Sequence, residues 1–333
     1  MVHGGIDICQ TLNIASIATN IRNTPIMTFS GRGQSQCISI IFTPFLLKTK
    51  EALLYTNNIQ VLIFLSISGK NIDMFDNDRK TWAEFVANQK YQNILADPQA
   101  KIYLIDKPKG LNSFKAVSVL RKVLNIKRVG FSGTLDPLAS GLLIMATAKA
   151  TKLLDYFHYL PKVYQASILF GQTSDTYDLE GQIQINNNAK EFDQAELQEV
   201  LKKFTGQIDQ QAPIFSAKKI GGQKLYKLAR AGKQVTPPTK KVEIHSLKIK
   251  TFSYPHLELE VTCSAGTYIR SLAYDLGQSL GTGALLADLR RIAIGYFLVD
   301  KALPLEKADK ENLSASSISI EKIKAFLDQY FCQ

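Results

Sequence analysis

The chain has 333 residues, 40 Lys plus Arg against 29 Asp plus Glu, and a formal net charge of +11. An apolar content of 45% supports a sizeable core and excludes a wholly disordered or collagen-like chain. Four scattered cysteines without a CxxC pair, and four histidines without HExxH, speak against a disulfide framework, a zinc ribbon or a histidine metal site, and suit a reducing compartment.

Residues 1–100 carry 8 basic and 7 acidic side chains, so the remaining 32 and 22 place the basic excess in the C-terminal two-thirds. A polyanionic partner is to be sought there. In the N-terminal part the apolar runs Ile38–Leu47 and Val61–Ile67 fall short of the roughly 18 residues that span a bilayer. No basic segment precedes an apolar run in the first twenty residues, so no secretory signal is expected. Ile59–Ile67 reads as one buried strand. Residues 78–95 read as an amphipathic helix with Trp82, Phe85, Val86 and Tyr91 near one face. No chemical motif stands out, and residues 1–98 are taken as an extension of uncertain order, with Met74 an alternative start.

From Lys101 the texture changes. Residues 101–106 read as a strand, Lys107–Gly110 as a Pro/Gly turn, and Phe114–Leu124 as a helix capped by Asn112 or Ser113. A dense run, 128–144, sets three glycines, a proline and small residues around a single carboxylate, Asp136. Such a loop lets backbone approach a ligand closely, although Asp-Pro equally starts an ordinary turn. Val163–Phe170 and Leu257–Cys263 alternate as strands. Asp193–Phe204, the stretch from Gly266 to Leu276, Leu285–Ile292 and Ser319–Phe331 read as helices. Strands and helices follow no βαβ rhythm, which predicts an α+β fold with a mixed, mainly antiparallel sheet. Neither GxGxxG in a strand–turn–helix setting nor GxxxxGK[ST] occurs, so nucleotide-cofactor binding is not expected. Residues 210–241 hold eight Lys and Arg and no acid. Lys218, Lys219, Lys224 and Arg230 around Tyr226 suit a groove that tracks a phosphate backbone, although a charge run is more commonly a solvated face.

Several of these segments occur together in one order: residues 104–110 (LIDKPKG), 133–141 (GTLDPLASG), 148–152 (AKATK), 162–164 (KVY), 171–181 (GQTSDTYDLEG), 216–230, 266–270 (GTYIR) and 289–291 (LRR). In this the chain resembles the TruB family of tRNA pseudouridine synthases, over residues 101 to about 300. The resemblance implies a central catalytic cleft, a catalytic domain over 99–305 with 210–241 as a basic RNA-binding insertion, and isomerisation of the T-loop uridine called 55. It implies no metal or organic cofactor, a tRNA T-arm as partner, no membrane association, a monomer and a cytoplasmic location. Asp136 is then the catalytic carboxylate at C1′, and Arg270 the cation that keeps it ionised. Tyr164 is implied as the base-stacking residue and a candidate for removing the C5 proton. With an ordinary phenol pKa of about 10, stacking is the better-founded part. Tyr268 and Leu289 are implied as pocket walls, and Lys107 and Lys152 as further substrate contacts. Asp175 and Asp178 read as loop-ordering.

Two features depart from the family pattern. Where the family carries a histidine five residues before the aspartate, this chain has Phe131, which can wedge into the space left by a flipped base but offers no hydrogen bond. Residues 306–333, with one apparent helix, are too short for the RNA-binding PUA domain often found there. Competing readings are a non-catalytic tRNA chaperone, a guide-RNA-dependent synthase, and a nucleosidase using a second carboxylate from Asp175 or Asp178.

Overall fold

The computed structural model describes residues 27–28, 39–41, 52–56, 59–63, 81–216, 218–231 and 235–331. The chain divides into two compact units, Met1–Asp76 and Asn77–Gln333. In the first, strands Met27–Thr28, Ser39–Ile41, Ala52–Thr56 and Ile59–Ile63 pair antiparallel in chain order. The expected strand 59–67 is thus the second arm of a hairpin, and its residues 64–67 lie outside the described residues.

In the second unit helix α1 (Gln89–Leu95) precedes strand β1 (Ile102–Lys107). Helix α2 (Ser113–Leu124) follows, then β2 (Val129–Ser132), β3 (Ala139–Thr147) and β4 (Lys162–Phe170). Next come α3 (Gln194–Lys203), β5 (Gly206–Gln211), β6 (Thr239–Ser253) and β7 (His256–Cys263). Helix α4 (Ile269–Ser279), β8 (Ala284–Ile294) and α5 (Ile320–Phe331) complete it. One sheet runs β5-β6-β7-β4-β8-β3-β1 and ends on the short strand Leu303–Pro304; β2 flanks β3. Pairing is antiparallel except β8 with β3 and Leu303–Pro304 with β1. This is the expected mixed α+β architecture.

Side chains that alternate along a strand enter opposite layers. On β1, Ile102 and Leu104 join one apolar cluster, Tyr103 and Ile105 another. On β4, Tyr164, Ala166, Ile168 and Phe170 face a third, with α3 and α4. Helix α2 begins where Asn112 accepts the Lys115 N–H, and α3 where Asp193 and Glu196 form a reciprocal capping box. Helix α2 buries Ala116, Val117 and Leu120.

Three expectations are corrected. Leu285–Ile292 is strand, not helix. Its Ala, Leu and Arg are good helix formers and its apolar positions fit a helical face. The segment nevertheless lies between β4 and β3 at the sheet centre, where pairing on both edges outweighs local propensity. The helix expected over 78–95 is helical at 81–87, breaks at Asn88, whose side chain accepts the Lys90 N–H, and resumes as α1. The boundary drawn at residue 98 moves to 76/77. Trp82, Tyr91 and Ile94 are buried with Ile102, Phe157 and Phe331, and the Trp82 indole N–H donates to Asp328 Oδ1 at 2.9 Å. The C-terminal helix α5 is likewise part of the core, through Ile320, Ile323, Leu327 and Phe331. Among the described residues no helix is long and apolar enough to cross a membrane.

Candidate active site

The loop between β2 and β3 is held through its backbone from several sides. Gly133 takes φ +71°, which favours glycine. The Ser113 hydroxyl accepts the Leu135 N–H and donates to the Leu135 carbonyl, both at 2.9 Å. The Gly110 N–H donates to Pro137 O at 2.8 Å, and the Ala139 N–H to Asp136 O at 3.1 Å. Leu135 and Leu138 are buried on either side. From β8, the buried Arg291 donates through Nε to Leu142 O (2.7 Å) and through Nη2 to Gly133 O (2.9 Å). Gly141, at φ +104°, lies so close to β8 that a Cβ would stand 2.3 Å from Arg291 O. Asp136 thus presents a partly exposed carboxylate from a backbone that cannot drift.

Arg270, in the first turn of α4, meets it. Its Nη2 is 2.8 Å from Asp136 Oδ2, and its Nη1 is 3.5 Å from Asp178 Oδ2. The same guanidinium donates to Thr176 O at 3.0 Å and Phe215 O at 3.2 Å. Asp178 is buried and also accepts from Thr176 Oγ1 at 2.5 Å and from the Glu180 N–H at 3.0 Å. Between them Tyr177 takes φ +63° and stacks on Tyr274 of α4, ring centroids 4.1 Å apart. The left-handed residue lets Thr176, Tyr177 and Asp178 all dock on one helix face. Asp175 instead accepts the Gln182 N–H at 2.8 Å. A forked, buried guanidinium therefore joins two carboxylates, of which only Asp136 is open to solvent. Charge on the buried carboxylate is compensated by the buried cation, so neither is stranded.

The other expected residues separate into two groups. Tyr164, buried on β4 and paired in register with Arg291, neighbours Leu135, Leu138 and Leu289 in one apolar cluster. Burial raises its phenol pKa, with the Arg291 charge and hydrogen bond opposing. A protonated ring is thereby favoured, which suits packing against a base and disfavours proton abstraction. Leu289 pairs with Ala139 of β3 and Ala166 of β4, which seats it beside the loop. Tyr268 is held through its backbone by the buried Gln210, whose amide accepts its N–H at 2.7 Å and donates to its carbonyl at 3.0 Å. Burial raises this phenol too. Phe131 on β2 meets Phe114 of α2 edge-on at 5.3 Å.

Lys107 is fully buried, and its amine donates to Pro108 O (2.9 Å) and Leu111 O (2.6 Å), bracing the turn beneath the loop. Burial pushes that amine down to about 8. Lys152 stands exposed in the 3₁₀ helix Ala148–Leu153. Lys218 is exposed beside a cavity of about 100 Å³ also lined by Gln210, Lys240, Gly266 and Tyr268. Lys219, Lys224, Tyr226 and Arg230 belong to the hairpin Lys219–Ile220/Gln223–Lys224 and the helix Leu225–Arg230. Their side chains lie outside the described residues. No group of carboxylate, cysteine and histidine side chains suited to a metal ion occurs among the described residues.

The partners of two supporting side chains were not legible in the sequence. Arg291 was visible as the last residue of the 289–291 run, and Asp178 as the last acid of Asp-Thr-x-Asp. Only the fold shows that the first carries the Asp136 loop and the second shares Arg270.

Residues 121–269 match the model of the TruB family pseudouridylate synthase N-terminal domain. The chain is 41% identical over 218 residues to tRNA pseudouridine synthase B of Clostridium acetobutylicum, covering 66% of this chain and 75% of the relative. With tRNA pseudouridine synthase B of Xanthomonas campestris pv. campestris it is 43% identical over 209 residues, 63% of this chain and 68% of the relative. Among solved structures, a chain of the archaeal box H/ACA sRNP Nop10–Cbf5 complex superposes with a TM-score of 0.51 at 23% identity, over 71% of this chain and 63% of that one. This last likeness concerns the fold alone.

Proposed function

Because the chain belongs to the TruB family of pseudouridylate synthases and isomerises uridine to pseudouridine in tRNA, we propose that its target is the T-arm uridine called 55 and that Asp136 carries the reaction. The uridine leaves its stack and enters the cleft, at a cost of a few kcal/mol. The N1–C1′ bond breaks, the uracil turns, and a C5–C1′ bond forms with loss of the C5 proton. Asp136 compensates the electron-poor C1′, either by covalent attachment or as a counter-charge. Arg270 holds its carboxylate in place. Tyr164 and Leu289 wall the pocket and hold the detached uracil, and Tyr268 packs over the Arg270 side. Phe131 fills the space the base vacates.

The observation that carries this reading is the contact of a half-exposed Asp136 with a buried Arg270 whose two terminal nitrogens are both engaged. A hydrolase would need a second carboxylate facing water across the sugar. Asp178 is buried behind the arginine and is not so placed. The Lys and Arg run of 210–241 supports a phosphate-tracking grip with strong salt dependence.

The test is tritium release from a T-arm stem-loop labelled at uridine C5, with wild type and Asp136→Asn side by side. Release by wild type alone, with no free uracil, is expected. Free uracil would indicate a nucleosidase. Binding without release by either protein would favour an RNA chaperone.

A further inference from the structure

Helix α2 carries features that fold stability alone does not call for. Residues 107–135 hold seven Lys and Arg (Lys107, Lys109, Lys115, Arg121, Lys122, Lys127, Arg128) and no acid; the next one in the chain is Asp136 itself. The face of α2 turned away from the core consists of Phe114, Lys115, Ser118, Arg121 and Lys122, all exposed. Phe114 is 65% exposed, the largest apolar exposure but one among the described residues. Lys115 sits in the first turn, where the helix macrodipole disfavours a cation and no acid compensates. Among the described residues neither Lys115, Arg121 nor Lys122 forms an ion pair. Arg121 and Lys122 stand in the last turn, where the helix dipole favours cations, and Arg121 also donates to Val129 O at 3.4 Å; the exposed ring and the unpaired Lys115 at the helix start break local rules in the way functional surfaces do.

The position of this face ties it to the reaction. Ser113, one residue before Phe114, holds both backbone groups of Leu135, the neighbour of Asp136. The Phe114 ring meets Phe131 edge-on, leaving an aromatic corner beside the Asp136 loop. Resting on the tRNA reading above, we propose that the exposed face of α2 is a second RNA-contact surface, in which Phe114 stacks on an unpaired base next to the extruded uridine and Lys115 and Lys122 meet backbone phosphates. Aromatic stacking with flanking cations is the general chemistry of single-stranded RNA recognition. The corner also explains how Phe131 serves without hydrogen bonds: it forms half of a two-ring wall that Phe114 extends toward the RNA.

The experiment uses the full chain and a T-arm stem-loop with 2-aminopurine at the nucleotide flanking the target uridine, together with Phe114→Ala and Lys115→Gln/Lys122→Gln. Phe114→Ala should weaken binding by roughly 5- to 150-fold, the range for loss of one stacked base, and relieve the quenching of 2-aminopurine seen with wild type. The double variant should flatten the slope of log affinity against log salt by about 1.4, two single-strand phosphate contacts, without changing the quenching. The double variant should melt as wild type does, since its side chains are exposed, and Phe114→Ala, which loses one edge-on ring contact, should melt within about 4 °C of it. Wild-type affinity and quenching for Phe114→Ala, or a wild-type salt slope for the double variant, would overturn the proposal. If wild type itself ignores the stem-loop, the T-arm reading fails separately. The same variants measured on unfractionated tRNA then decide the surface by the same affinity and slope criteria.

Discussion

Arg270 Nη2 lies 2.8 Å from Asp136 Oδ2, yet the arginine side chain is 7% exposed and the aspartate side chain 42%. The cation is part of the protein interior and the anion part of the solvent-facing surface. Salt and solvent therefore screen the pair less than they would two surface charges.

Replacing Arg270 by Lys keeps the charge but not the fork. A single ammonium cannot serve Asp136, Asp178, Thr176 O and Phe215 O together. Single-turnover rates should fall by about 10²–10³, the loss typical of one preorganised stabilising contact, while RNA affinity stays within a few-fold of wild type. A loss that appears in affinity instead would assign Arg270 to RNA binding.

Gly141→Ala and Gly281→Ala separate contact from conformation. Both glycines have positive φ, but an alanine at 281 meets nothing within 4 Å, whereas at 141 its Cβ runs into the backbone of Arg291. The first substitution should cost about 1–2 kcal/mol from conformation alone. The second should cost clearly more and take catalysis with it, because β3 and β8 must part. Thermal melts and turnover of the two variants check this; equal melting temperatures would refute the close approach.

Asp275 on α4 is pushed up to about 6 by burial, from an ordinary carboxylate value near 4. Between those pH values the folded state binds more protons than the unfolded one, so stability falls as pH rises through this window and stays reduced above it. Asp275→Asn should therefore melt higher than wild type above pH 6 and lose that advantage below pH 4. The side chain is partly exposed, so the gain is about 1 kcal/mol, or about 2–4 °C. Parallel melting curves across pH 4–7 would show that the carboxylate is not penalised.

Phe131→Ala removes the ring from the β2 end of the aromatic corner. Turnover per enzyme at limiting RNA should drop about ten-fold or more, with 2-aminopurine at the target position reporting less extrusion. Unchanged turnover would sink the wedge role.

The α+β class, the capped starts of α2 and α3 and most strands were legible in the chain, because their signals are local: Asn112, Asp193 and the alternation on β4. Asp136 and Arg270 were legible as residues through their motifs. Their pairing was legible only through the family resemblance and not from any local signal, since 134 positions separate them and α4 packing against the sheet closes the gap. β8 misled for a stated reason: Ala284–Ile294 is rich in helix formers, and its two strand neighbours come from chain segments more than a hundred residues earlier. Trp82 was seen as one face of an amphipathic helix, but its partners Tyr156, Asp328 and Phe331 are far along the chain, so residues 81–98 looked like an extension.

The place of β8 between β3 and β4 has a consequence for how the protein comes into being. This strand is the last long one to leave the ribosome, and it inserts between two made much earlier. Until residues 284–294 are available, Arg291 cannot brace Gly133 and Leu142, and Tyr164 lacks its neighbour. A nascent chain that already holds Asp136, Tyr164 and Arg270 thus still lacks the strand that joins β3 to β4, and the sheet around the Asp136 loop closes in one late step rather than growing with length.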